Sequence, residues 1–156
     1  MRFAMTKLGD EYTPPTTIVP ESLPFSCQWI LSVLNKSISK TISSLDAYEF
    51  SDASSAVYSW WQFQLCDIFI EVIKPYFSSD DPSMASAKRN AQDTLWVCLD
   101  NGLRLLHPFM PFVTEELWQR LPAPQHYTRE KSIMICEYPS VVEVRYQTLI
   151  LYWEIC

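Results

Sequence analysis

A chain of 156 residues with 48% apolar, 19% charged and 14% aromatic side chains has the length of one domain and enough apolar material for a core, which excludes global disorder. Two glycines, Gly9 and Gly102, cannot write G-x-G-x-x-G and argue against a hairpin-rich β protein, while 11 prolines read as punctuation between helices. The net charge of −6 is spread along the chain, which excludes a generic basic coat for nucleic acid and leaves room only for local RNA contact.

Residues 1–9 read as the end of a truncated first helix, with Gly9 suited to the position just past its last turn. Residues 10–24 carry Pro14, Pro15, Pro20 and Pro24 and read as an extended connector. A helix over about 25–48 follows, with Ile30, Leu34, Ile38, Ile42 and Leu45 on one stripe and Ser26 suited to its N-cap. The next helix, about 52–77, has two stripes. Val57, Trp61, Leu65, Ile68 and Val72 form the first, and Trp60, Phe63, Asp67, Ile70 and Lys74 the second. Pro75 is expected to bend or end it.

After the turn at 78–82, a third helix is expected over about 83–107, lined by Ala87, Ala91, Leu95, Cys98, Leu99, Leu103 and Leu106. Gly102 within it costs about 1 kcal/mol of helix propensity. Pro108 and Pro111 break that helix, and a short fourth spans 112–121. Residues 132–136 read as a short strand, and residues 143–156 as an atypical apolar, strand-like tail. The expected fold is therefore all-α: an antiparallel helical bundle over 25–142.

Little of this pattern carries catalysis. The five cysteines, Cys27, Cys66, Cys98, Cys136 and Cys156, show no C-x-x-C spacing, and with His107 and His126 they make no zinc ligand set, so none is expected. Reduced thiols point to a cytoplasmic protein. Arg2, Lys7, Asp10 and Glu11 interrupt any secretory segment near Met1, and no apolar run is long enough for a membrane span. Asp67 and Glu71 are an i,i+4 carboxylate pair without a placed partner, and Glu71 with Lys74 at i+3 reads as a surface ion pair. His107 suits capping or packing at a helix end. The adjacent cations Lys88 and Arg89, in a first helical turn that disfavours them, are weak candidates for phosphate contact.

Several stretches go further: Arg2-Phe3-Ala4-Met5; Trp29-Ile30-Leu31-Ser32 with Leu34-Asn35; Phe50-Ser51-Asp52-Ala53; Tyr58 to Pro75; and Leu105 to Leu121, which reads LLHPFMPFVTEELWQRL. Together they resemble the anticodon-binding domain of valyl-tRNA synthetases, class I enzymes of the valine, isoleucine and leucine subgroup, over about residues 2–142. The resemblance implies a bundle that grips the anticodon stem-loop of valine tRNA. It implies that Phe3 of the Arg2-Phe3 pair stacks near the anticodon bases with Ile70 close by. Trp60 and Lys74, on the Ile70 stripe, complete the candidates for RNA contact.

The same resemblance makes 105–121 a packing corner and assigns no catalytic residue. A complete enzyme of this family uses ATP and valine. Its catalytic domain, with HIGH and KMSKS motifs, and its editing domain have no counterpart here, so this chain alone is not expected to aminoacylate. The family's first bundle helix begins well before the position of Arg2. An organellar copy would carry a targeting segment ahead of Met1. Three alternatives stand beside this reading: the same module of an isoleucyl-tRNA synthetase, a helical protein-interaction module without RNA, and a truncated product.

Overall fold

A computed structural model describes residues 1–9, 11–15, 18, 22–78, 81–123 and 129–141. The tail expected at 143–156 lies outside them, as do residues 10, 16–17 and 19–21 of the proline-rich connector. The elements in order are α1 (Arg2–Leu8), α2 (Phe25–Asp46), α3 (Phe50–Ser59), a π-helical stretch (Trp60–Phe69), α4 (Ile70–Ser78), a 3-10 turn (Pro82–Met84), α5 (Ala85–Leu106), α6 (Pro111–Gln119) and a second 3-10 turn (Ile133–Ile135). The α3–π–α4 run is the single long helix expected over 52–77. Consecutive long helices joined by short turns pack antiparallel, and α5 is the central one, touching α1, α2, α3, α4 and α6.

The core is aliphatic with two large rings at its centre. Ile30, Leu34 and Ile38 of α2 meet Leu95, Leu99 and Leu103 of α5, with Trp60, Phe69 and Ile73 between. Each such side chain taken fully out of water contributes about 1.5–3 kcal/mol. Gly9 ends α1 with φ 76°, a left-handed value that glycine adopts without strain, and its N–H bonds to Met5 O at 3.1 Å.

Four local expectations change. Residues 132–136 form no strand: Ile133–Ile135 is a 3-10 turn. A lone strand has unpaired backbone groups, and here the Ile133 N–H instead donates to Glu115 Oε2 (3.1 Å) and the Met134 N–H to Ser132 Oγ (3.1 Å). Ser26 is not the N-cap of α2, which starts at Phe25 after Pro24. Pro75 lies inside α4, which runs on to Ser78.

The fourth change is the largest. The buried side of the α3–π–α4 run is Val57, Trp60, Leu65, Phe69 and Ile73, not either expected stripe. Its steps are three, five, four and four. The five-residue step falls in the π-helical stretch, where each turn holds more residues and the core-facing side drifts away from the 3.6-residue wheel. Ile68 and Val72, placed on the core stripe by the ideal wheel, are left exposed.

Candidate nucleic-acid interface

The expected RNA-contact residues do not form one set. Trp60 leaves it: the side chain is 2% exposed, packed edge-to-face on Trp61 with ring centroids 5.4 Å apart. A Cβ built on Gly102 would lie 2.7 Å from Trp60 Cζ3 and 2.9 Å from Trp61 Cζ2, and the Trp61 indole N–H donates to Gly102 O at 3.3 Å. Trp60 is therefore a core ring seated against a helix backbone and has no face free for a base.

Phe3 and Ile70 keep accessible surface, each being half-buried. On α4, Ile70, Lys74 and Phe77 are spaced i, i+4, i+7 and share one side. Phe3 packs edge-to-face against Phe77, with centroids 6.3 Å apart and planes at 89°. That pair joins α1 to the end of α4. Phe77 lies two helical turns, about 10 Å, beyond Ile70, and it is an α4 residue that meets Phe3. On α1, Lys7 is four residues from Phe3 and on the same side, its Nζ 6.0 Å from the Phe3 centroid and 5.6 Å from that of Phe77. Arg2 is exposed.

Lys74 pairs with Glu71 on the surface, as the i,i+3 spacing suggested, with side chains 48% and 57% exposed. Such a pair is weak, so the ammonium is readily exchanged for another anion.

The second candidate pair divides. Lys88 is exposed. Arg89 is exposed too, but it is tied to the connector: its Nη2 donates to Thr13 O at 2.7 Å, its Nε to Asp93 Oδ2 at 3.2 Å, and its guanidinium lies 4.9 Å from the Tyr12 ring centroid. Tyr12 donates its hydroxyl to Asp93 Oδ1 at 2.8 Å. These contacts fasten the connector onto α5. Burial pushes the Tyr12 hydroxyl well above its ordinary range, with the Asp93 charge adding to the rise. Burial also raises the Asp93 carboxyl, against the opposing hydrogen bond from Tyr12 and the Arg89 charge. A phosphate contact by Arg89 would compete with these bonds to the connector.

The 105–121 block is a packing corner, built by hydrogen bonds that a sequence cannot display. His107 Nδ1 is 2.6 Å from Thr114 Oγ1, and the Thr114 hydroxyl donates to Met110 O at 2.8 Å. The Trp118 indole donates to Asp100 Oδ1 at 2.9 Å while Arg104 Nη2 bonds Asp100 Oδ2 at 2.6 Å. Glu115 accepts from Gln119 Nε2 (2.7 Å), Ser132 Oγ (2.7 Å) and Ile133 N. These bonds, that from Gln119 first, hold the Glu115 carboxyl below its ordinary range. Around the corner Met110, Phe112 and Val113 of the turn and α6, with Met134 and Ile135, remain exposed. Burial raises the Cys27 and Cys98 thiols, which pack in the core as small apolar groups. Among the described residues no three potential ligands are grouped for a metal, and no helix is long and apolar enough to cross a membrane.

An all-α bundle with an aromatic and cationic corner at the junction of α1 and α4 fits a nucleic-acid-binding module. Residues 27–152 match the family described as the anticodon-binding domain of tRNA ligase, and the chain belongs to that family. The match begins after Arg2, Phe3 and Lys7 and runs ten residues past position 142. Within the family, the chain is the anticodon-binding domain of the valine–tRNA ligase kind. It is 68% identical over 143 residues to mitochondrial valine–tRNA ligase 1 of Arabidopsis thaliana, covering 92% of this chain and 13% of that protein. It is 41% identical over 147 residues to human valine–tRNA ligase (91% and 11%) and 39% identical over 144 residues to the mitochondrial enzyme of Saccharomyces cerevisiae (90% and 12%). The chain thus spans about an eighth of the length of these relatives.

Proposed function

We propose that this chain binds the anticodon stem-loop of a valine tRNA, as the anticodon-binding part of a valine–tRNA ligase. The observation that carries the reading is the Phe3–Phe77 pair. Two half-buried rings at the meeting of α1 and α4 offer an apolar edge to an unstacked base, with Arg2, Lys7 and Lys74 around them. Loops of RNA are read by drawing bases out onto such surfaces. In an acidic chain only a small cationic corner can do this, so affinity is modest and the remainder comes from other parts of the ligase. Charging would use ATP and valine in those parts, and no residue of this chain is assigned to either. Relatives named as mitochondrial support an organellar copy.

Fluorescence anisotropy with a labelled valine anticodon stem-loop tests the reading. Phe3→Ala should weaken binding by about 1–3 kcal/mol, the worth of one stacked base. An isoleucine stem-loop should compete poorly. Equal competition would move the chain to the isoleucine enzyme, and an unchanged affinity for Phe3→Ala would take Phe3 out of the site.

The exposed apolar residues Met110, Phe112, Val113, Met134 and Ile135 favour a second role, contact with protein at the 105–121 corner. Binding of that kind has little salt dependence, whereas phosphate contacts impose a steep one.

A further inference from the structure

Ion pairing divides the cations of this protein. Lys40 pairs with Asp52, Lys74 with Glu71, Arg89 with Asp93, Arg104 with Asp100 and Arg120 with Glu116. On α1 neither Arg2 nor Lys7 has a carboxylate partner among the described residues. Lys7 also differs from the exposed lysines in being held. Its Nζ stands between 5.6 and 6.0 Å from two aromatic centroids, and its backbone carbonyl accepts from Gln92 Nε2 of α5 at 2.8 Å. The ammonium is thus pre-positioned at the rings, uncompensated by a carboxylate among the described residues, and drawn by the ring quadrupoles. A phosphate brought alongside would be a stronger partner than either ring.

We propose that Lys7 is a phosphate-binding residue of the RNA site, taking the backbone phosphate of the nucleotide whose base lies against Phe3. The inference rests on the proposed stacking role of Phe3 and adds the contact that sets the register of that nucleotide. A base cannot approach the Phe3–Phe77 pair without carrying its own phosphates, and Lys7, one helical turn from Phe3, is the cation placed over both rings. Phosphate contacts of this kind position the nucleic acid without selecting its sequence.

The test is the salt dependence of stem-loop binding for the whole 156-residue chain and for its Lys7→Gln, Lys7→Arg and Phe3→Ala variants, each checked for an unchanged melting curve. Lys7→Gln should flatten the log–log slope by about 0.7–0.9, the contribution of one phosphate contact. Lys7→Arg should restore the slope, and Phe3→Ala should lower affinity without altering it. Replacing loop phosphates one at a time by methylphosphonate should show one position that matters to the parent chain and not to Lys7→Gln. An unchanged slope for Lys7→Gln beside a weakened Phe3→Ala overturns the Lys7 assignment and leaves Phe3 in the site. Failure of both variants to weaken binding, or no binding by the parent chain, overturns the stacking reading and the Lys7 assignment with it.

Discussion

Gly102 and Trp60 are matched surfaces: a Cβ at Gly102 would come within 2.7 Å of Trp60 Cζ3, closer than carbon atoms pack. The glycine that costs α5 some helix propensity is what allows two adjacent tryptophans to approach its backbone closely. Gly102→Ala gains about 1 kcal/mol of propensity and loses more to overpacking, which costs about 1–3 kcal/mol in a filled core. A net loss of stability is expected, read as a lower melting temperature. A gain would mean that the two indoles shift freely.

Trp60→Leu should act on folding and not on recognition. Replacing a ring that is 2% exposed leaves a cavity, at a cost on the order of 3 kcal/mol. Chemical denaturation should show that loss, while the affinity of the remaining folded fraction for a valine stem-loop stays as in the parent chain. Reduced affinity at full folding would return Trp60 to the interface.

Tyr12→Phe removes the hydroxyl that donates to Asp93 and should cost about 1.5–3 kcal/mol, the range for a hydrogen bond to a charged group. The Asp93 carboxyl, already raised by burial, rises further. A raised carboxyl means that the folded state holds its proton longer than the unfolded one, so the contribution of Asp93 declines as pH climbs from the unfolded value toward the folded one. The variant should show a steeper decline over that window. Equal pH profiles for the two proteins would show that the hydroxyl does not support the charge.

Glu115 has the opposite sign. Its folded carboxyl lies below its ordinary range because it accepts from Gln119, Ser132 and Ile133. The stabilisation is present above the unfolded value, about 4.3, and disappears as pH falls through the lower folded value. Glu115→Gln should therefore lower stability at pH 7 and flatten the acid side of the profile. The side chain is close to solvent, so the effect is modest and weakens in salt. A parallel acid limb would exclude the clamp.

Asp100 joins two groups, the Trp118 indole and the Arg104 guanidinium. Asp100→Ala leaves the Trp118 indole without its acceptor at the corner between α5 and α6, while Arg104 keeps Asn101 Oδ1 and Glu137 O, and should cost about 1–3 kcal/mol. Trp118→Phe in the same background should add less than it does alone, a coupling that a double-mutant cycle reads directly. Strict additivity would show that the two contacts are independent.

The sequence by itself determined the succession of helices. Proline and glycine act locally: Pro24 and Pro108 stand outside the helices, Pro111 begins one, and Gly9 permits the positive φ that ends α1, so most ends fall within a few residues of their expected positions. The family too was legible, because blocks such as 105–121 are specific as strings. Which side of a helix faces the core was not. The stripes over 52–77 assumed 3.6 residues per turn, and the π-helical stretch at Trp60–Phe69 turns the chain by a different amount, burying Trp60 and exposing Ile68 and Val72. Only the tertiary structure decided that Arg89 is spent on Thr13, Asp93 and Tyr12, that Phe3 meets Phe77, and that Lys7 stands over both rings. These contacts join residues up to 77 positions apart, Arg89 and Tyr12, and the packing that creates them depends on the shapes of several helices at once.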